Sequence, residues 1–202
     1  MAQLLYLSTG AQEAVERIRP WISESSPIKI GEIYGDDLYN LAGYDGLLIG
    51  SHVDQRRLAA HSDRLATYLE NGGTIVANGH IAYPFLPRMT PFRPIPNYRV
   101  EDLIVRRHIA HPIWEGVTVE DLSRRRGVTG FYARGWHTPP DGAEVVHTLG
   151  DDTRPIDFIY RVGAGRVLFH GGNDFWSFDD GTTSARRIMP QLLAWVLSKG
   201  GA

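Results

Sequence analysis

Eight histidines and not one cysteine define the side-chain chemistry open to this 202-residue chain. Several of the histidines stand directly after short apolar runs, where a strand ends and a side chain projects over the rim of a sheet. His52 and Asp54 follow GLLIGS, Asn78 and His80 follow TIVA, and His170, Asn173 and Asp174 follow RVLF. The stretch GFYARGWH adds Arg134, Trp136 and His137. Imidazole changes charge near neutral pH, so it is the side chain best suited to move a proton. His80 and His170 are therefore the candidate catalytic residues. His52, Asp54, Asn78, His137, Asn173, Asp174 and Trp176 are the candidates for holding a small polar ligand.

Histidine nitrogen and carboxylate oxygen also suit zinc and similar divalent ions. His52-x-Asp54 offers two donors from one strand tip, and His80, His137 or His170 would complete a set. There is no H-E-x-x-H, cysteine pair or close His-x-His, so spacing alone establishes no metal and leaves the cofactor open. A serine nucleophile has weaker support. Ser51 adjoins His52 and Ser8 ends the first apolar run, but neither lies in G-x-S-x-G. GAGRV lacks the full dinucleotide pattern and precedes a strand, so its glycines read as a hairpin turn. His147 inside a strand, His61 within a helix and His111 before Pro112 read as structural residues. The run Arg124–Arg126 reads as a solvated turn, with a phosphate or partner contact as the alternative. Trp176 and Phe178, in DFWSFDDG, have two readings: packing over the last helix, or an aromatic face for a sugar-like or planar ligand.

These residues need a scaffold that brings strand ends together, and the apolar pattern supplies one. Strands are expected at Gln3–Ser8, Ile28–Ile33, Tyr44–His52 and in TIVANG, the last a β-branched run closed by Asn-Gly. Helices are expected at about Gln12–Ser23, with Pro20 inside it, at Gln55–Glu70 and at Ile188–Leu197. Asn71-Gly72-Gly73 is a strong helix stop. Tyr83–Asn97 carries five prolines and can be neither regular helix nor central strand; it is an irregular cover. Tyr98–Arg106 and Gly127–Gly135 read as strands or edge elements. Ala143–Gly150 and Pro155–Val162 read as an antiparallel pair, and Gly165–Gly172 as the last core strand. An alternating β/α first half followed by a strand-rich second half predicts one α/β domain spanning residues 1–202, with a mostly parallel sheet flanked by helices.

Three segments in order, YDGLLIGSH…LATYLENGGTIVANGH, HPIWEGV and GAGRVLFHGGND…IMPQLLAWVLS, give the chain a family likeness. It resembles the class I glutamine amidotransferase-like superfamily, and within it the ThuA-like and related cysteine-free branches. The resemblance implies a flavodoxin-like three-layer sandwich and a sharp strand-to-helix elbow after the glycine pair. It also implies a catalytic cysteine at that elbow and a His-x-Glu after the last strand. Here Gly79-His80 stands at the elbow, His170 matches the family's histidine, and Gly172 stands where the glutamate is expected. With no cysteine in the chain, glutamine hydrolysis through a thioester is excluded.

Composition bounds the rest. A net charge of -2 gives no general attraction to nucleic acid or to an anionic membrane. No apolar run approaches the ~18–20 residues of a membrane helix. The opening MAQLLYLSTG lacks a basic n-region and an A-x-A-like site, so no signal peptide is expected and the expected location is the cytoplasm. The expectation is a protein that binds a small molecule in a His/Asp pocket at the C-terminal strand ends. The alternative is a metal- or His/Asp-dependent enzyme, a hydrolase or a carbohydrate-related activity. The aromatic, proline-rich Tyr83–Tyr98 has two readings, a homo-oligomer contact or a lid on its own subunit.

Overall fold

Apolar side chains alternate between two faces along each core strand, and that alternation sets the layers. The computed structural model describes residues 3–125 and 127–198. Its central sheet has eight strands: β1 Leu4–Ser8, β2 Ile28–Glu32, β3 Gly46–Ile49, β4 Thr74–Asn78, β5 Val105–Arg107, β6 Glu144–Leu149, β7 Pro155–Val162 and β8 Gly165–His170. They lie in the order β2-β1-β3-β4-β8-β7-β6-β5. The first five in that order run parallel, and β7, β6 and β5 complete the sheet antiparallel. This is the expected three-layer α/β sandwich.

Leu4, Tyr6, Leu48, Val76 and Leu168 face one side, with α1 (Gln12–Ile18), α4 (Val119–Ser123) and α5 (Ile188–Leu197). Leu5, Leu7, Leu47, Ile49, Ile75, Ala77, Val167 and Phe169 face the other, with α2 (Gln55–Ala59) and α3 (Ser62–Glu70). Among the described residues no helix is long and apolar enough to cross a membrane.

Several elements differ from the sequence expectation, each for a local reason. The first helix stops at Ile18, and Arg19–Trp21 continues as a 3₁₀ turn because Pro20 has no N–H to donate. Gln55–Glu70 is two helices. The His61 amide bonds Leu58 three residues back, and the His61 Nδ1 takes the Arg57 carbonyl that a continuous helix would use. His61 therefore sits in the break, with Nε2 3.1 Å from the Tyr39 hydroxyl. The strand expected over Tyr44–His52 is confined to Gly46–Ile49. Tyr98–Arg106 becomes a 3₁₀ turn, Val100–Leu103, followed by β5. Arg124-Arg125 pairs antiparallel with Val128-Thr129, and Arg126 lies outside the described residues.

The proline-rich segment packs on its own chain. Phe85 and Leu86 are buried against the α2/α3 side, and Arg93-Pro94 pairs with Gly135-Trp136. Trp176 and Phe178 are also core residues, joined to Ile188 and Leu192 of α5. Their burial accords with the packing reading, and Trp176 meets Tyr6 edge-on at 5.3 Å.

Candidate functional site

Strand register places one row of polar residues straight across the sheet. Arg107 on β5 lies opposite His147 on β6, His147 opposite Asp157 on β7, Asp157 opposite His170 on β8, and His170 opposite Asn78 on β4. Directly opposite side chains in neighbouring strands are close enough to bond. Here they do so in a chain. Arg107 Nε donates to His147 Nε2 at 2.9 Å, and His147 Nδ1 meets Asp157 Oδ2 at 2.8 Å. His170 Nδ1 meets Asp157 Oδ1 at 2.6 Å. The Tyr132 hydroxyl donates to Asp157 Oδ2 at 2.7 Å and receives Trp114 Nε1 at 3.1 Å. His147, Asp157 and His170 are all fully buried.

The bonds decide the protonation of this row. Arginine cannot accept, so His147 Nε2 carries a lone pair and the ring proton sits on Nδ1, pointed at Asp157. Burial pushes the His147 pKa down, which keeps that ring neutral. Burial alone would raise the Asp157 pKa. The electrostatic effect of His170 and the hydrogen bonds from His147 and His170 outweigh it, and hold the carboxyl well below its usual range. A carboxylate with three donors is stable in a dry interior, whereas an unpaired one costs several kcal/mol, on the order of 3–5. Tyr132 is pushed well above its usual pKa, first by burial and then by Asp157, so it stays a donor.

His170 is left with one free atom. Its Nε2 is buried without a hydrogen-bond partner. The ring is held between Tyr132, 4.5 Å away, and Phe175, stacked at 4.5 Å and 26°. An imidazole oriented by a carboxylate on one nitrogen and unpaired on the other can act as a general base or a hydrogen-bond acceptor. The Nε2 atom ends behind Gly172, where an added Cβ would lie 2.8 Å from it and 1.7 Å from the Tyr132 carbonyl oxygen. Gly172 bridges to Ala133, so the loop after β8 and the 130–134 segment meet backbone to backbone. No side chain fits at 172. Asp157, one strand away, supplies the carboxylate to His170.

Across that bridge lies a cavity of about 310 Å³, lined by His80, the 130–134 segment, Gly172 and Asn173. His80 leaves the tip of β4, where Gln55 at the head of α2 binds its carbonyl and the Ala82 amide. Its exposed ring lies on Phe92, 3.9 Å between centroids and 15° from parallel. Desolvation, then the electrostatic effects of His170 and Arg134, push the His80 pKa below its usual value. Asn173 Nδ2 donates to the Phe131 carbonyl at 2.6 Å and pins the cavity wall.

The elbow residue itself is Gly79, at φ +109°. A Cβ there would stand 2.7 Å from the Ser51 Cα, so this tip is closed to a nucleophile. His137 lies beside the two tips, donating through Nδ1 to the Thr90 carbonyl at 2.8 Å and packed on Phe169 and Phe92. Burial drives its pKa down to about 4, and its Nε2 has no partner.

The remaining candidates are committed elsewhere. His52 is exposed, 3.5 Å from Arg17. Asp54 caps α2 through the Arg57 amide and binds the Tyr34 hydroxyl. Asn78 is fully buried and ties β4 to the Ile49 carbonyl and the Phe175 amide. Asp174 is buried and accepts the Ser51 amide at 2.6 Å, with its pKa raised by burial. The four loops thus do not converge on one rim. His80, Asn173 and Arg134 line one cavity, with His170 behind its wall and His137 alongside. Among the described residues no group of three or more His, Cys, Asp or Glu is placed to hold a metal ion.

Sequence reasoning missed Asp157, Tyr132 and Arg107. The signal was present in PIDFIY, where a carboxylate interrupts an apolar strand and so demands buried partners. His111 plays the positioning role expected of it, its Nδ1 accepting the Ile113 amide at 3.3 Å.

No protein-family model matches the sequence, and no curated protein matches it. Solved structures do match its fold. The cytoplasmic protein STM3548 from Salmonella typhimurium is 13% identical, with 96% of this chain and 98% of that one covered and a TM-score of 0.61. A putative GMP synthase subunit from Thermoplasma acidophilum is 14% identical over 97% of this chain and 94% of that one, at TM-score 0.57. The GH42 β-galactosidase Gan42B is 15% identical over 97% of this chain but 30% of that one, at TM-score 0.51. At these identities the likeness is one of fold alone.

Proposed function

We propose that this chain is a small-molecule-binding protein of the cysteine-free, ThuA-like kind, with its ligand in the cavity between the tips of β4 and β8. One observation carries the reading: an exposed imidazole, His80, lines a small cavity with Arg134 and Asn173, and the wall residue Gly172 covers the unpartnered Nε2 of the buried His170. Its volume of about 310 Å³ suits a ligand of amino-acid or monosaccharide size, at the lower end of the ~300–1,000 Å³ of small-molecule pockets. The closed elbow at Gly79 argues for binding over nucleophilic catalysis.

A second reading has its own support. The Asp157–His170 pair has the orientation of an acid–base dyad, and proton transfer at Nε2 would require the Gly172–Ala133 backbone bridge to open toward the cavity. The test is a screen of small polar metabolites against the purified chain, followed through the imidazole proton signals. Binding is expected to move the His80 and His170 signals together and to weaken at least tenfold in His80→Ala, the scale of a lost buried hydrogen bond. Ligands that leave both signals in place would sink the binding site, and turnover lost in His170→Gln would favour the enzyme.

A further inference from the structure

Charge on the cavity wall deepens the binding reading, and the class of ligand it selects rests on that reading. The lining residues are His80, Gly130, Phe131, Tyr132, Ala133, Arg134, Gly172 and Asn173, with no carboxylate among them. Arg134 is exposed, and its Nε donates to the Gly130 carbonyl at 3.0 Å. That bond anchors one edge of the guanidinium to the loop. Among the described residues no acidic side chain forms an ion pair with it. The buried acids Asp157 and Asp174 are already engaged, Asp157 by its three donors and Asp174 by the Ser51 amide.

A guanidinium held at Nε presents its outer N–H groups as a planar fork, which matches the two oxygens of a carboxylate. His80, its ring stacked on Phe92, lines the same cavity together with Phe131 and Tyr132. We infer that the cavity selects a small carboxylate, anchored by Arg134, with its uncharged body against His80 and the aromatic lining. In this arrangement Arg134 sets the class of ligand, and His80 meets whatever polar group lies beyond the carboxylate.

The experiment is calorimetric titration of the full chain with matched pairs that differ in charge: glucuronate against glucose, and benzoate against benzamide. At least one acid is expected to bind about tenfold or more tightly than its neutral partner, the worth of a charge-assisted hydrogen bond. Arg134→Gln should abolish that preference and Arg134→Lys should keep part of it, with circular dichroism confirming that both variants fold. A neutral partner that binds as tightly as its acid while moving the His80 signal would overturn the carboxylate and leave the cavity standing as the site. So would an acid preference that survives Arg134→Gln. If no probe binds at millimolar concentration, the carboxylate inference and the site fall together.

Discussion

The tips of β4 and β8 are neighbours in the sheet and opposites in chemistry. Gly79 at the first is wedged against Ser51 and carries no reactive atom. His170 at the second is clamped by Asp157 and keeps one nitrogen free. The contrast arises from what lies beside each strand. β4 is flanked by parallel strands, and the Ser51 backbone after β3 crowds its tip. β8 borders the antiparallel half, where β7 and β6 each place one polar side chain in register with it. A strand tip therefore inherits its reactivity from the next strand as much as from its own sequence.

The largest effect expected from testing this contrast is at Asp157. Asp157→Ala leaves His147, His170 and Tyr132 without their shared acceptor in a dry interior. It should cost about 3–5 kcal/mol in urea unfolding, the usual loss when one partner of a buried charged set is removed. A loss below about 1 kcal/mol would mean that the row contributes no more than an exposed polar contact does.

Acid is expected to act through His137, which packs beside both tips. Its pKa is near 4 in the folded protein and about 6.5 when unfolded. The unfolded chain therefore binds the extra proton, and stability falls as pH drops from about 6.5 to about 4. The loss is about 3–3.5 kcal/mol for a shift of this size. Stability curves of wild type and His137→Gln across that window should separate, with the variant flatter; parallel curves would contradict the buried, neutral ring.

Steric closure of the two tips gives a third comparison. Gly172→Ala should cost about 1–3 kcal/mol by driving its Cβ into the Tyr132 carbonyl. Gly79→Ser should cost a similar ~1–3 kcal/mol from strain at positive φ and from crowding Ser51. The two differ in readout. Gly172→Ala should also perturb the His170 signal, because its added carbon lies against Nε2, and Gly79→Ser should gain no esterase activity. An active Gly79→Ser variant would show that the elbow can open.

The smallest effect is expected at His52, an exposed side chain outside the cavity. His52→Ala should change stability by less than about 0.5 kcal/mol and leave ligand affinity unaltered. A loss of binding would redraw the site toward the β3 tip.

Much of the architecture was legible because it follows from short-range periodicity. Core strands such as TIVAN and GRVLFH read as strands from their apolar runs, and the glycine pair after Glu70 marks a helix end wherever it occurs. The exclusion of thioester chemistry followed from the absence of cysteine alone. His80 was visible as a residue just beyond a strand and lines the cavity, and His170 was visible at the end of the last core strand.

Partner choice was not legible, because it depends on register between segments far apart in the chain. Asp54 and Asn78 have the residue types of ligand contacts, yet one caps a helix and the other stitches strands. Asp157 in PIDFIY signals a need for buried partners, but which residues supply them is set only once β7 lies between β6 and β8. Sequence by itself determined the layers, the strand tips and the missing nucleophile, since these rest on local pattern and composition. Tertiary structure decided which carboxylate meets which imidazole. Hydrogen bonds act over about 3 Å, and only strand pairing brings Arg107, His147, Asp157 and His170 within that reach.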